Sequence, residues 1–376
     1  MDFELSEEQV LLKDSIDRFV KDNYGPEDRI KLSQTELGFS RDHWKTMAEL
    51  GWLGMAFSEE AGGFGGGAVE TMIMMESMGR GLVLEPFVST VLLGGALVAE
   101  AGNADQIEAI IPEIIEGNLM MSFGYAEAQS RFNLNDVETT ASKSGDGYIL
   151  NGTKAVVYHG GTADKIVISA RTSGASRDAD GISLFIVDSN AAGLDIRSYA
   201  TVDGQRAADV RLENVTVPAS ALIGAEGVAS PVIEKVIDGA IGAICAEAVG
   251  AMAAANEITN EYLKTRKQFG TAIGKFQVLQ HRMVDMYMEA EQSKSMSDMV
   301  AMKLDLGYAD DTRKAVSAAK AQIGKSAKFV GQQSVQLHGG MGMTDEYSIG
   351  HFFKRLTTIE MLFGNTDFHL NRFSNL

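Results

Sequence analysis

The chain has 376 residues, of which 45% are hydrophobic and 22% charged, and this length suffices for two or three domains with sizeable cores. Its formal net charge of −18 argues against nucleic acid or an anionic membrane as a partner, because an acidic surface repels both. A single cysteine, Cys245, excludes an internal disulfide and a cysteine-rich metal site. The six histidines lack ligand spacing, so we expect no metal site.

The N-terminal segment is acidic and amphipathic, unlike a basic leader that is followed by an apolar stretch. No run of consecutive apolar residues approaches the roughly 18 to 20 that a membrane span needs. We therefore expect a cytoplasmic protein that does not enter a membrane. We expect Cys245 to be a small buried side chain on an Ala-rich helix.

Residues 1–120 predict a helical domain. Ser6 stands before two glutamates as a helix N-cap does, and apolar residues follow at helical spacing from Val10 to Val20. The glycine-rich segment 61–67 lacks the Lys-Ser/Thr of a phosphate-binding loop and does not follow a strand, so we interpret it as a turn between helices.

Residues 121–228 predict a small β domain. Turn signals at Gly145–Asp146 and at Asn151–Gly152 enclose a short predicted strand. Alternating or continuous apolar residues predict further strands at 165–170, 181–187 and 208–212.

Residues 229–376 predict helices again, with long Ala- and Met-rich stretches. We interpret the 19 methionines mostly as core packing. The predicted fold class is α+β and mainly α, with an N-terminal helical domain, a middle β-barrel or β-sandwich domain, and a C-terminal four-helix bundle.

Two segments of the last zone carry a more specific pattern: 262–270, which continues to Ile273, and 336–343. Paired glycines let backbone N–H groups approach a ligand closely, and an arginine offers a forked, permanent charge to a pyrophosphate. At this spacing the two segments resemble the acyl-CoA dehydrogenase family. The order of the predicted domains agrees with that family over nearly the whole chain.

The resemblance implies a site shared between chains, because in that family the two motifs hold the pyrophosphate and adenine half of a neighbouring subunit's FAD. The residues that match the motifs are Arg266, Phe269, Ile273, Gln336, Gly339 and Gly340. Thr366 matches a family threonine that bonds to FAD. The resemblance further implies FAD as cofactor, an acyl-CoA substrate, a dimer or tetramer, and an electron-transfer flavoprotein as electron acceptor.

The catalytic base departs from the family pattern. The reaction needs a carboxylate that takes a proton from Cα while a hydride leaves Cβ, and this chain has Gly364 where that glutamate usually stands. Some members carry the base on the helix before the arginine motif, where this chain has Ala240. We therefore assign no catalytic base. The nearby carboxylates that could substitute are Asp238, Glu247 and Glu360.

The segments that hold the flavin ring in the family are altered as well. The family's Thr-Glu-Pro-Gly-Ala-Gly-Ser-Asp loop corresponds here to 126–133, and its Trp-x-Thr corresponds to 156–158, which His159 follows. The segments 125–134, 154–160 and 363–369 resemble those of the small, degenerate subunit of pimeloyl-CoA dehydrogenase and related heteromeric enzymes, which pair a base-bearing chain with one that lacks the base.

Three functions remain as hypotheses. The first is a subunit of a heteromeric FAD-dependent acyl-CoA dehydrogenase that completes the FAD site of a base-bearing partner. The second is a self-sufficient homomeric flavoenzyme with Glu360 or Glu247 as base, or with oxygen-dependent chemistry, which Tyr158 and His159 would favour. The third is a flavin-free structural subunit, against which the retained arginine and glycines argue.

Overall fold

The structure is a computed structural model and describes residues 5–376. Its first part is helical, with α1 (Glu7–Asn23), α2 (Pro26–Ser33), α3 (Arg41–Glu49), α4 (Ala68–Gly81), α5 (Ala96–Ala101) and α6 (Ala104–Ile115). Ser6 caps α1 in a capping box with Gln9, as the sequence predicts. The segment 61–67 forms the irregular connection that leads into α4, which confirms its interpretation as a turn.

Eight strands form one mixed sheet in the middle of the chain: β1 (Met121–Gly124), β2 (Thr140–Ser144), β3 (Gly147–Tyr158), β4 (Lys165–Arg171), β5 (Ile182–Asp188), β6 (Leu194–Ala200), β7 (Arg206–Pro218) and β8 (Leu222–Ile223). Their order is β6-β7-β3-β2-β4-β5-β8, and β1 pairs in parallel with β4. Apolar side chains from several strands form its core, among them Leu150, Ile168 and Phe185. The predicted β domain is therefore present.

The expected turn at Asn151–Gly152 is wrong, because β3 continues through it. The register of β3 on β7 shifts between Leu150 and Gly152, as at a β-bulge. Gly152 has a φ of 151°, and an added Cβ would lie 2.5 Å from Thr139 Oγ1. The glycine therefore serves a bulge within the strand and the close approach of a neighbour.

A π-helix at Val88–Gly95 precedes α5, and the sequence did not predict it. Apolar periodicity does not separate this wider turn from an ordinary α-helix. The Thr90 hydroxyl donates to the Met121 carbonyl and accepts from the Met121 N–H, both at 3.2 Å, so the π-helix is tied to β1.

The C-terminal part is helical, with α7 (Ser230–Thr265), α8 (Gln277–Asp305), α9 (Asp310–His338), α10 (Ile349–Met361) and α11 (Thr366–Asn375). Two short strands, β9 (Lys267–Gln268) and β10 (Thr271–Ala272), form a hairpin between α7 and α8. This confirms the predicted sequence of helical, β and helical domains. Cys245 is fully buried on α7 as predicted, and burial raises its pKa to about 12.

Helix α7 is long and apolar enough to cross a membrane by length and composition, but 83% of its 18-residue apolar window is buried inside the protein. The core helix of a soluble protein has the same character. Its close packing depends on glycines: a Cβ at Gly250 would collide with the backbone oxygen of Glu76 on α4, and one at Gly79 would collide with that of Glu247. Glycine thus lets α4 and α7 approach each other closely.

The chain packs as two compact units. One unit comprises the chain up to Leu32 together with Gly67–Val83 and Ile241–Leu376, and the other comprises Ser33–Gly66 and Leu84–Ala240. The N-terminal helices contribute to both. The division into three contiguous domains at 1–120, 121–228 and 229–376 stays a prediction.

Candidate functional site

A β-hairpin presents the first motif. Gln268 of β9 pairs with Thr271 of β10, and the two residues between them, Phe269 (φ 55°) and Gly270 (φ 79°), are both left-handed, as a tight two-residue turn requires. The Phe269 side chain is 90% exposed and contacts Phe276 edge-on, with ring centroids 6.2 Å apart. The hairpin therefore holds an aromatic ring outward on a strained backbone.

Arg266 lies at the base of this hairpin. Its N–H donates to the Tyr262 carbonyl at 2.8 Å, and its carbonyl accepts from the Ile273 N–H at 2.9 Å, so its backbone is fixed at both ends of the hairpin. Its side chain is exposed, and within residues 5–376 it enters no ion pair. The guanidinium is therefore available to an anion from outside this chain.

The second motif lies at the end of α9. His338 is buried there and stacks on Tyr262, with centroids 4.3 Å apart and an interplanar angle of 29°. The Tyr262 hydroxyl donates to the His338 carbonyl at 3.4 Å. Since Tyr262 stands one helical turn before Arg266, this contact brings the two motifs together.

The paired glycines leave open space in front of the backbone. Gly339 has a φ of 59°, which favours glycine, whereas Gly340 has no such conformation. A Cβ added at either position would meet no atom within 4 Å. Neither backbone strain nor packing within the described chain requires glycine at 340, so its open backbone admits the close approach of another molecule.

The structure therefore connects the two motifs, whereas Thr366, the remaining predicted cofactor residue, begins α11 and donates its N–H to Glu360. Hairpin residues Arg266, Phe269 and Ile273 and the α9 end, with Gln336 and its glycines, are connected through Tyr262 and His338. Gln336 is exposed and Ile273 is half-buried. Their contact with FAD stays a prediction.

The expected base position is shaped for glycine. Gly364 lies between α10 and α11 with a φ of 115°. An added Cβ would collide with the Phe368 ring and lie 2.7 Å from His369 Nε2. His369 is fully buried, and its Nε2 lies 3.0 Å from the Phe363 carbonyl, to which it donates. A glutamate cannot replace this glycine without rearrangement of the turn.

A buried lysine that the sequence analysis missed holds the same turn. Lys320 on α9 is 1% exposed, and its Nζ donates to the carbonyls of Glu360 and Gly364 at 2.8 and 2.7 Å. Burial lowers the pKa of this amine to about 8. The signal was its spacing, since Lys320 shares the core face of α9 with buried Val316 and Ile323.

The substitute carboxylates are engaged elsewhere. Glu247 accepts a forked pair of bonds from Arg355 at 2.6 and 2.7 Å, with both side chains buried. Glu360 accepts from the Thr366 N–H at 3.0 Å, at the start of α11. Asp238 is buried on α7. A role for Glu247 or Glu360 as base stays a prediction, and these bonds disfavour it because they already engage the carboxylate oxygens within the chain.

In the second unit, the loop at 126–133 is anchored by a buried ion pair. The Lys154 Nζ lies 2.6 Å from a Glu127 carboxylate oxygen, and Glu127 also accepts from the N–H groups of Glu138 and Thr139. Burial alone would raise the pKa of Glu127, but the charge and hydrogen bond of Lys154, with a smaller contribution from the Gln129 side chain, lower it to about 2. Glu127 is thus a fixed anion that ties the loop to β3.

The segment 156–159, which begins with the three residues expected to correspond to the family's Trp-x-Thr, is strained. Val156 and His159 both have a φ of 53°, and the register of β3 shifts between Lys154 and Val157. A β-branched residue seldom adopts this conformation. Val156 is 47% exposed, whereas His159 is buried with its Nε2 3.1 Å from Gln205 Oε1. No pattern in the sequence predicted this bulge.

Comparison with known proteins covers nearly the whole chain. The N-terminal, middle and C-terminal domain families of acyl-CoA dehydrogenase match residues 6–118, 122–215 and 231–375. The probable acyl-CoA dehydrogenase YngJ of Bacillus subtilis is 30% identical over 373 residues, which cover 98% of this chain and 97% of that protein.

Two solved structures extend the comparison. A variant of the Tcur3481-Tcur3483 steroid ACAD has a TM-score of 0.87 and 28% identity, and the match covers 98% of this chain and 97% of that chain. The ChsE4-ChsE5 complex from Mycobacterium tuberculosis shares the fold, with a TM-score of 0.89 and 23% identity over 100% and 98% of the two chains. The chain belongs to the acyl-CoA dehydrogenase family, whose members are FAD-dependent oxidoreductases.

Proposed function

We propose that this chain is the base-lacking subunit of a heteromeric FAD-dependent acyl-CoA dehydrogenase and completes the FAD site of a base-bearing partner. The observation that carries the proposal is a contrast within one unit. Among residues 5–376, the exposed Arg266 enters no ion pair, and a Cβ added at Gly340 would meet no atom within 4 Å. A Cβ added at Gly364, in contrast, would collide with its neighbours.

The open region fits one half of FAD. Arg266 would hold the pyrophosphate with its forked charge, and the backbone at Gly339–Gly340 would approach it closely. Phe269 would pack on the adenine, with Ile273 and Gln336 beside it, and Thr366 would hold FAD from the start of α11. When bound, FAD supplies the hydride acceptor of the reaction.

We further propose that this chain does not supply the catalytic base. Gly364 cannot take a proton, and Glu247 and Glu360 already accept strong hydrogen bonds. A partner would therefore supply the carboxylate, and the assembly would be a dimer or tetramer that oxidises an acyl-CoA and passes electrons to an electron-transfer flavoprotein in the cytoplasm. The role proposed for this chain is that of the small subunit in enzymes like pimeloyl-CoA dehydrogenase.

A self-sufficient homomeric flavoenzyme is the second candidate. The strained Val156 and His159 favour it, because backbone strain clusters at functional sites and we expect this segment to correspond to the family's flavin-ring segment. This candidate predicts tight flavin binding by the chain alone.

The test is the flavin-to-protein ratio, measured by absorbance after size-exclusion chromatography. We expect little flavin on the chain expressed alone and restored flavin on co-expression with a base-bearing acyl-CoA dehydrogenase from a neighbouring gene. Arg266→Ala should strip flavin from the complex, whereas Lys267→Ala, on the exposed side of the same hairpin, should not.

Each other outcome has a clear meaning. Stoichiometric flavin on the lone chain would favour the homomeric enzyme. Unchanged flavin in the Arg266→Ala complex would refute the shared site. A complex without any flavin would favour a structural subunit.

A further inference from the structure

Three aromatic rings connect the two motifs of the half-site. His338 is 3% exposed; its ring stacks on Tyr262, at a centroid distance of 4.3 Å, and contacts Tyr347 at a tilt, at 5.0 Å. The two tyrosines also meet edge-on at 6.0 Å. We call Tyr262, His338 and Tyr347 the aromatic cluster. It joins the end of α7, the end of α9 and the segment before α10.

Hydrogen bonding fixes the protonation of the central ring. His338 Nδ1 lies 2.8 Å from the Ser334 carbonyl, and because a carbonyl only accepts, Nδ1 carries the hydrogen. Nε2 then carries a lone pair, and it is buried without a hydrogen-bond partner among residues 5–376. Protonation would add a buried N–H without an acceptor, and burial accordingly lowers the pKa of His338. The ring is therefore a neutral stacking partner.

The cluster takes one residue from each motif, Tyr262 from the first and His338 from the second. The Tyr262 carbonyl accepts the Arg266 N–H at 2.8 Å, so a shift of Tyr262 moves the base of the hairpin. His338 directly precedes Gly339 and Gly340, so a shift of its ring moves the paired glycines. An outward-facing arginine and an open backbone bind one pyrophosphate only if their spacing is fixed in advance.

We propose that His338 is a positioning residue of the donated half-site, whose stacked ring sets the spacing between Arg266 and the Gly339–Gly340 backbone. This inference rests on the proposed function and assigns a residue that touches neither the flavin nor the substrate. It predicts that FAD affinity depends more on the stacking of the His338 ring than on the hydrogen bonds of its nitrogen atoms.

The test compares two variants in the complex with the base-bearing partner, with FAD itself as the probe. His338→Phe keeps a ring against Tyr262 but loses the bond to Ser334, whereas His338→Ala loses both. We expect the Kd of FAD, measured by flavin fluorescence on titration of the flavin-stripped complex, to rise at least tenfold for His338→Ala and less than threefold for His338→Phe.

A matched variant separates positioning from general destabilisation. Val330→Ala removes a fully buried side chain from the same helix, away from the cluster, and should lower the thermal midpoint without a change in the FAD Kd. The inference is overturned if His338→Ala leaves the Kd within twofold, if His338→Phe binds as weakly as His338→Ala, or if Val330→Ala raises the Kd equally.

The outcomes also separate this inference from the proposed function. If Arg266→Ala strips flavin but His338→Ala does not, the shared site stands and the role of His338 falls. If Arg266→Ala has no effect on flavin, the shared site itself falls, whatever the His338 variants do.

Discussion

At the position where the family pattern predicts the catalytic glutamate, packing around a single residue excludes a larger side chain. At Gly364 the left-handed backbone, the Phe368 ring and the buried His369 all exclude a larger side chain. Lys320 anchors the turn by donating hydrogen bonds to the carbonyls of Glu360 and Gly364. The surroundings of this turn therefore fit glycine at 364, so a larger side chain there would require them to rearrange.

We expect Gly364→Glu to remain without dehydrogenase activity as a lone chain and to unfold at a lower temperature than the parent chain. Strain and collision together should cost about 2 to 4 kcal/mol. Met361→Glu, at a half-exposed position nearby, is the matched control and should unfold near the parent temperature. Dehydrogenase turnover by the Gly364→Glu chain alone would contradict this account of the turn.

His369 makes stability depend on pH. Burial, with a smaller contribution from Lys320, lowers its pKa from 6.5 to about 3, so the folded ring stays neutral where the unfolded ring takes up a proton. The stabilisation that the neutral His369 ring contributes to the free energy of unfolding is therefore complete above pH 6.5. It is lost as pH falls toward 3. Between pH 7 and pH 4 this loss should amount to about 3 kcal/mol.

The measurement is urea denaturation of the parent chain and of His369→Gln at several pH values. Other acid-sensitive groups are common to both proteins and cancel in the difference. The stability advantage of the parent chain should shrink as pH falls from 7 to 4. A difference that does not vary with pH would contradict the buried neutral ring.

Among helices and strands, the sequence predicted those whose side chains repeat regularly. Ser6 at the start of α1 and the apolar segment of β4 are local signals, and both elements lie where they were expected. Gly152 misled the prediction because a glycine in a bulge and one in a turn have the same local signature. The π-helix at Val88–Gly95 had no local signature, since its wider turn depends on tertiary contacts such as that of Thr90.

The crossing of α4 and α7 provides a test at this level. Gly250→Ala would drive a methyl group into the backbone of Glu76, and we expect a loss of about 3 kcal/mol or more in the free energy of unfolding. Gly239→Ala on the same helix meets nothing within 4 Å and should be neutral or stabilise the protein by about 1 kcal/mol. Calorimetric midpoints of the two variants check this, and equal midpoints would contradict the close crossing.

At the scale of the whole molecule, the sequence predicted the motif residues of the proposed half-site. It did not predict the contacts that link the two motifs. The motif spacing identified Arg266 and Gly340, whereas the aromatic cluster and the ion pair of Glu127 with Lys154 depend on residues far apart in sequence. Single-sequence patterns carry no information about such pairs, because each member alone has an ordinary interpretation as a core or surface residue.

The proposed assembly has a defined cofactor count. A pair of one base-bearing chain and this chain should hold one FAD rather than two, because the loop at 126–133 and the segment at 156–158 differ from the family's flavin-ring segments. Native mass spectrometry of the purified complex measures this directly. Two FAD molecules per pair would show that this chain retains a flavin site of its own.

Gly340 has a consequence for how mutational data on this protein should be read. A deep mutational scan selected for folding of the lone chain would score position 340 as tolerant, since a side chain there meets only open space. A scan selected for growth on the partner's activity would score it as intolerant. Positions that tolerate substitution in the first scan but not in the second would map the surface that we propose contacts the partner and its FAD. This map would not require a structure of the complex.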